Sequence, residues 1–297
     1  MKVLPGASSP HFKTSPTLKL THMDSTHTTY WSYAIASWFD EGRENPDTDA
    51  MKAYIAAALP QIASCWEPRG DGPTTRPSGG LSCARQLWLT DLGYQKRQPG
   101  EATKITWAMG HLLHAWVYGC LTAGAPDGVV LEVEHTRELP AWWPKERAGF
   151  AQDGHTDIVI QRQSDTAGGL PAECGRRVLA DVKSTNKRGW SDYSKKDWAT
   201  SPDAFGYVSQ MATYSDGGAL YDACFILAVN RDTPASSKLV VRNMGNDVLE
   251  AEKARLIQTF AQAEDPGYDF MERNGKGGAF YCENYCDLRD ACKELVV

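Results

Sequence analysis

The sequence predicts an α/β protein with a mixed β-sheet flanked by helices on both faces. Two observations carry this. Apolar residues at helical spacing fill much of the first 121 residues and recur at 203–216 and 246–264. Between them lie five short apolar or alternating segments, at 129–139, 155–161, 177–184, 223–230 and 237–244.

Residues 1–25 lack the apolar core of a signal peptide, and their Pro, Ser and Thr content predicts a flexible arm. HTTYWSYAIASWFDEG then predicts a helix ending near Gly42. Asp47 to Ser64 predicts a second, Ala-rich helix, bent or ended by Pro60. Residues 66–80 read as a loop by composition, so 26–80 form an N-terminal helical extension. Residues 83–93 predict a helix with Leu87 and Trp88 facing inward. From Thr103 to Leu121 a longer helix is predicted, with Ile105, Met109, Leu112, Leu113 and Trp116 at helical spacing. VVLEVEHTREL, HTDIVIQ and RVLADVKS predict three strands, the last two joined by a polar loop. DAFGYVSQMATYSD predicts a helix with an Asp in its first turn; ACFILAVN and SKLVVRNM predict a closing pair of strands. The final long helix, 246–264, is expected to open on Asn or Asp.

A hydrophobic content of 42% and a charged content of 23% are ordinary for a soluble globular protein. The net charge of −6 counts against a broadly basic nucleic-acid binder but leaves room for a local basic groove. No apolar run reaches the length of a membrane span. Eight cysteines are too few for a disulfide scaffold of this size. A reducing, cytoplasmic setting is therefore expected, where clustered cysteines read as metal ligands.

Asp157 begins an apolar strand, and Asp181 stands two residues before Lys183 in another. Residues i and i+2 of a strand share a face, so Asp181 and Lys183 point into one place. Paired charges are usually a solvated face, but here Val178, Leu179, Ala180 and Val182 make the strand a core strand. Two carboxylates from adjacent strands suit Mg or Mn, and a lysine beside the metal suits phosphodiester hydrolysis. His114 is either a polar residue at a core edge or a metal ligand, with His111 and His155 as competitors. Gly110, one turn earlier, would let the helix approach the sheet closely. Gln210 and Tyr214 share a helix face; they are an ordinary surface pair or a pair that holds the lysine or a DNA phosphate.

Cys282, Cys286 and Cys292 cluster near the C-terminus, with Cys83 as the fourth candidate and Cys65 as its rival. Cys120, Cys174 and Cys224 read as small hydrophobes or partly exposed thiols. Four thiolates suit either zinc or an iron–sulfur cluster. After Lys183, the cations Lys187, Arg188, Lys195 and Lys196 interleave with Trp190, Tyr193 and Trp198. That pattern is either a track for single-stranded DNA or an amphipathic loop whose aromatics pack down.

The ordered pairs Gly110/His114, Gly154/Asp157, Asp181/Lys183 and Gln210/Tyr214 resemble the RecB-type branch of the PD-(D/E)XK nuclease superfamily. With the four cysteines, the layout is similar to the CRISPR-associated RecB-like exonucleases, the nuclease domain of AddB and phage-encoded relatives. The likeness spans about residues 80–297, so 81–297 is expected to be the nuclease domain. It implies a restriction-endonuclease-like core and cleavage of DNA, as an exonuclease on single strands or ends, in processing, recombination or repair. It implies Mg or Mn held by His114, Asp157, Asp181 and the Val182 carbonyl. Lys183 would be the catalytic lysine, with Gln210 and Tyr214 in the same site. Cys83, Cys282, Cys286 and Cys292 would hold a [4Fe–4S] cluster, with Zn as the alternative. That clip would join the early helical region to the tail. A recombination or replication protein is an expected partner; a membrane is not. Two departures are visible: Asp181 stands where Glu is common, and the tail spacing is C-x3-C-x5-C. Other readings are a non-catalytic DNA-binding or assembly module on the same fold, and a zinc-clipped structural protein.

Overall fold

The computed structural model describes residues 27–67, 75–78, 81–94, 96–147 and 149–295. The expected flexible arm and part of the 66–80 loop lie outside these residues. Among the described residues five strands form one sheet: β1 (Val129–Glu138), β2 (Asp153–Arg162), β3 (Arg177–Thr185), β4 (Ala223–Asn230) and β5 (Val240–Asn243). They lie side by side in chain order. Only β3 and β4 pair in parallel; the other neighbours are antiparallel. The parallel step needs a crossover, and two short helices, α5 (Lys187–Tyr193) and α6 (Tyr207–Tyr214), lie within it.

The pleat of β3 divides the interior into two cores. Val178, Ala180 and Val182 face one, with Trp31, Ile35 and Phe39 of α1 (His27–Glu44) and Val117 and Leu121 of α4 (Glu101–Gly124). Leu179 faces the other, with Met211 and Ala212 of α6 and Leu249 and Leu256 of α7 (Asn246–Ala261). β4, read as ACFILAVN, is buried at every residue, as a strand covered on both faces must be. The mixed sheet with helices on both faces is thus the observed architecture.

α2 (Thr48–Ser64) is capped by Asp47, whose carboxylate accepts the N–H groups of Asp49 and Ala50 at 3.0 Å. Pro60 does not end α2; the helix runs on to Ser64. Tyr54 ties it to α4 through Thr122 at 3.0 Å. α1 likewise continues past Gly42 to Glu44. The glycine serves a helix crossing instead: a Cβ on Gly42 would fall 1.8 Å from the Cys120 carbonyl oxygen. One on Gly124 would fall 1.8 Å from that of Trp38.

One apolar stripe is left uncovered, and two helix starts differ from expectation, each for a physical reason. Ile105, Met109 and Leu112 are exposed, because the buried residues of α4 begin only at Leu113. Helical spacing persisted beyond the part of α4 that anything covers. α6 starts at Tyr207, not 203: Gly206 takes φ 73, and Asp203 accepts the Val208 N–H at 2.8 Å from outside the helix. α7 is preceded by Gly245 at φ 76 with no side-chain cap, and Asn246 is already helical. The tail folds as α8 (Asp269–Asn284), broken at Gly275 (φ 51), and α9 (Arg289–Glu294). Both pack on α3 (Ala84–Asp91).

Gly124→Ala is expected to cost about 3 kcal/mol or more, because the added methyl meets backbone that cannot step aside. A urea midpoint equal to the parent's would show that the helices do not cross as described.

Candidate functional site

Strand register assembles the site. Val133 pairs with Ile158 across β1 and β2, and Ile158 with Ala180 across β2 and β3. One step along, Glu134, Asp157 and Asp181 form a row across three strands. The β2–β3 ladder stops there. In its place Asp157 Oδ2 accepts the Val182 N–H at 2.7 Å. Glu134 drops out of the β1–β2 ladder and sits at φ 50, in the left-handed region. For a glutamate that conformation costs roughly 1–3 kcal/mol.

Asp181 and Lys183 share the face that looks toward α6, as their i, i+2 spacing requires. Asp181 is only 2% exposed. Gln210 Nε2 donates to its Oδ1 at 2.8 Å, and Lys183 Nζ donates to Gln210 Oε1 at 3.0 Å. Lys183 Nζ also lies 2.7 Å from Asp181 Oδ2, an ion contact off the line of a hydrogen bond. The ring centroid of Tyr207 is 4.7 Å from the same nitrogen. Gln210 thereby holds the lysine in register through both ends of its amide.

From α4, His114 Nδ1 comes to 3.6 Å from Asp157 Oδ2. Tyr118, one turn on, donates to Glu134 Oε1 at 2.8 Å and lies 3.4 Å from His114 Nδ1. Ligand atoms of His114, Glu134 and Asp157 all lie within 4.8 Å of one another. An imidazole with two or three carboxylates is a donor set that fits a hard divalent cation such as Mg or Mn. Glu134 was not singled out in the sequence. The signal existed, as a glutamate inside the strand VVLEVEHTREL, but Glu132 carries the same signal and only register separates them. His155 instead faces Thr136 Oγ1 at 3.1 Å, and His111 stands outside the group.

Burial pushes Asp157 and Asp181 up to about 6, although Lys183 pulls both down. Burial pushes His114 down to about 4, and Lys183 adds to this, so its imidazole is neutral and free to ligate. Burial works against the charge of Lys183, but Asp181 and Asp157 outweigh it and hold its pKa raised.

Tyr214 has a packing role. A Cβ on Gly154 would fall 2.5 Å from Tyr214 Cε1, so the glycine before Asp157 makes room for the tyrosine after Gln210. The close approach expected at Gly110 is not required: a Cβ there would meet Ser184 Oγ at an ordinary 3.6 Å.

Cys83 precedes α3 and its Sγ accepts the Gln86 N–H at 3.4 Å. Burial pushes this thiol up to about 12, with Cys286, Cys282 and Cys292 each adding through their charge. The four thiols therefore gather in one place, whereas Cys65 lies at the end of α2, its pKa raised by burial. No three of the four sulfurs lie within 4.8 Å of one another. Beside them Arg85 is buried; its Nη2 meets Asp265 Oδ2 at 2.7 Å, while Nε and Nη1 have no hydrogen-bond partner. Cys120, Cys174 and Cys224 are buried free thiols.

In the segment after Lys183 the aromatics pack down. Trp198 is buried, and Tyr193 lies 6.0 Å from both Trp198 and Tyr207, centroid to centroid. Lys196 caps the Trp198 ring at 4.4 Å and donates to the Pro202 carbonyl at 2.8 Å. Half-buried Trp190 donates to the Lys238 carbonyl at 3.1 Å. Lys187, Arg188 and Lys195 remain exposed.

No protein-family model, curated protein or solved structure matches the chain. No helix among the described residues is long and apolar enough to cross a membrane.

The raised carboxylates set a pH dependence. The penalty for burying their charged forms grows as pH rises from about 4 to about 6. A cation must displace those protons, so Mn affinity is expected to fall as pH drops through about 6, with protons released on binding. Calorimetric titration in buffers of different ionisation enthalpy measures both. Affinity independent of pH between about 5 and 7 would contradict these charge states.

Proposed function

We propose that this chain is a Mg- or Mn-dependent deoxyribonuclease of the RecB-like PD-(D/E)XK type, an exonuclease acting on single strands or DNA ends. Its setting would be DNA processing, recombination or repair. One observation carries the reading: a row of three carboxylates at the open end of a buried sheet, with His114 above it and Lys183 pinned beside it. A purely structural sheet gains nothing from burying such a row.

His114, Asp157, Asp181 and the Val182 carbonyl would hold the cation, with Glu134 as a further carboxylate ligand strapped by Tyr118. The ion supplies charge that lowers the pKa of a water and polarises a phosphoryl oxygen. Lys183 stays protonated, because Asp181 and Asp157 outweigh its burial, and offsets negative charge developing on the phosphate. Gln210 fixes its Nζ, so the cationic group needs no reorganisation during reaction. Exposed Lys187, Arg188 and Lys195 offer phosphate contacts close to Lys183 in sequence, which reconciles a net charge of −6 with local DNA binding.

Cys83, Cys282, Cys286 and Cys292 would hold a [4Fe–4S] cluster that ties α3 to the tail. Zinc is the alternative occupant, since four thiolates suit either. The two guanidinium nitrogens of Arg85 that lack a hydrogen-bond partner would suit the negative charge of such a centre.

Loss of labelled single-stranded DNA should require Mg or Mn and vanish in Lys183→Ala. Glu134→Gln should raise the Mn needed for half-maximal rate about tenfold or more. Metal-independent cleavage, or full activity in Lys183→Ala, would sink the reading. Cys286→Ala, purified without oxygen, should lose the visible absorbance of an iron–sulfur chromophore and melt at lower temperature; retention of both would exclude the clip.

A further inference from the structure

An exposed aromatic ladder runs from the candidate site onto the cysteine tail. Its first rung is Tyr207, whose ring faces Lys183 Nζ at 4.7 Å. Phe205 stacks on Tyr207 with centroids 5.8 Å apart and planes 16° from parallel. Tyr285 follows, 5.2 Å from Phe205, and Phe280 ends the line 5.6 Å beyond. Packing covers only part of the outer three rings: Phe205 and Tyr285 lean on buried Tyr281, yet Phe205 is 44% exposed, Tyr285 52% and Phe280 57%. Large aromatics left in water at contact spacing offer their faces to a flat ligand. Cations accompany them. Exposed Lys276 stands four residues before Phe280 on α8, hence on the same helix face. Exposed Arg97 is held beside the tail through its N–H, which donates to the Asp287 carbonyl at 3.0 Å.

We propose that Phe205, Tyr285 and Phe280 are a stacking track along which single-stranded DNA approaches Lys183, with Lys276 and Arg97 meeting its phosphates. This rests on the nuclease reading and deepens it, since it selects an unpaired strand and assigns its route. Three points favour that occupant. The rungs follow one another at contact distance, and the edge-on and tilted contacts of Tyr285 leave ring surface exposed. The line ends on the cation proposed to face the scissile phosphate. Paired bases have their faces covered by their neighbours in the duplex and cannot use the rungs. The track lies outside the 187–198 segment, whose aromatics are spent on packing.

The test is fluorescence anisotropy of a labelled oligothymidylate on the intact protein, with calcium in place of magnesium. Phe280→Leu keeps an apolar surface side chain but removes the π-face. Tyr285→Ala and Phe205→Ala remove the other two rungs. Each should weaken binding about tenfold, the usual effect of losing one base–aromatic stack. Phe280→Trp should retain the affinity. An abasic strand of equal length should bind the parent weakly and respond to none of the substitutions. Affinities unchanged within about twofold, or equal losses for the abasic strand, would overturn the track. If the parent cleaves single strands while the variants bind normally, the track falls and the nuclease reading stands. If the parent neither binds nor cleaves them, both fall.

Discussion

Charge held out of water at the end of a β-sheet is the constraint around which this protein is arranged. Asp157 and Asp181 sit opposite each other where β2 and β3 part, and burial raises both toward neutrality. Left alone, such a pair would favour opening of the sheet. It is held by partners supplied from elsewhere: the Val182 N–H from β3, the Gln210 amide from α6, Lys183 from the next position on the same face. Each restrains one atom, and together they leave an oxygen-rich corner facing His114. Replacing this network with apolar side chains would make a more stable sheet. The proposed cation and phosphate would supply the charge that this network lacks.

The rest of the molecule positions the groups around that corner. α4 carries His114 and Tyr118, and its close approach to α1 depends on Gly42 and Gly124. A side chain at either crossing point would force α1 and α4 apart. On the opposite face, Tyr214 locks α6 against Gly154, immediately before the stretch that bears Asp157. Helix and strand therefore cannot shift independently, and Gln210 stays in reach of both Asp181 and Lys183. The tail adds a third constraint, since α8 and α9 both pack on α3.

The five strands and the five-residue set His114, Asp157, Asp181, Lys183 and Gln210 were legible because local rules suffice for them. An apolar run names a buried strand, and i, i+2 spacing names a face. Glu134 was not legible, since its place in the row comes from pairing with β2, which no local pattern reports. The exposure of Ile105, Met109 and Leu112 was not legible for a related reason: periodicity shows that a face is apolar, not whether anything covers it. α8 was overlooked because RNGKGG breaks the helical pattern, and the chain does break there, at Gly275. Trp190, Tyr193 and Trp198 offered the right composition for stacking, but their burial could be decided only in three dimensions.

Whether the carboxylate row binds a cation is open to direct measurement. Anomalous scattering from crystals soaked in manganese locates the ion without reference to activity. A peak is expected within coordinating distance of His114 and Asp157, with Asp181 and Glu134 as its other side-chain neighbours. A fully loaded crystal with no peak at this row, or with manganese bound only elsewhere, would contradict the proposed cation site.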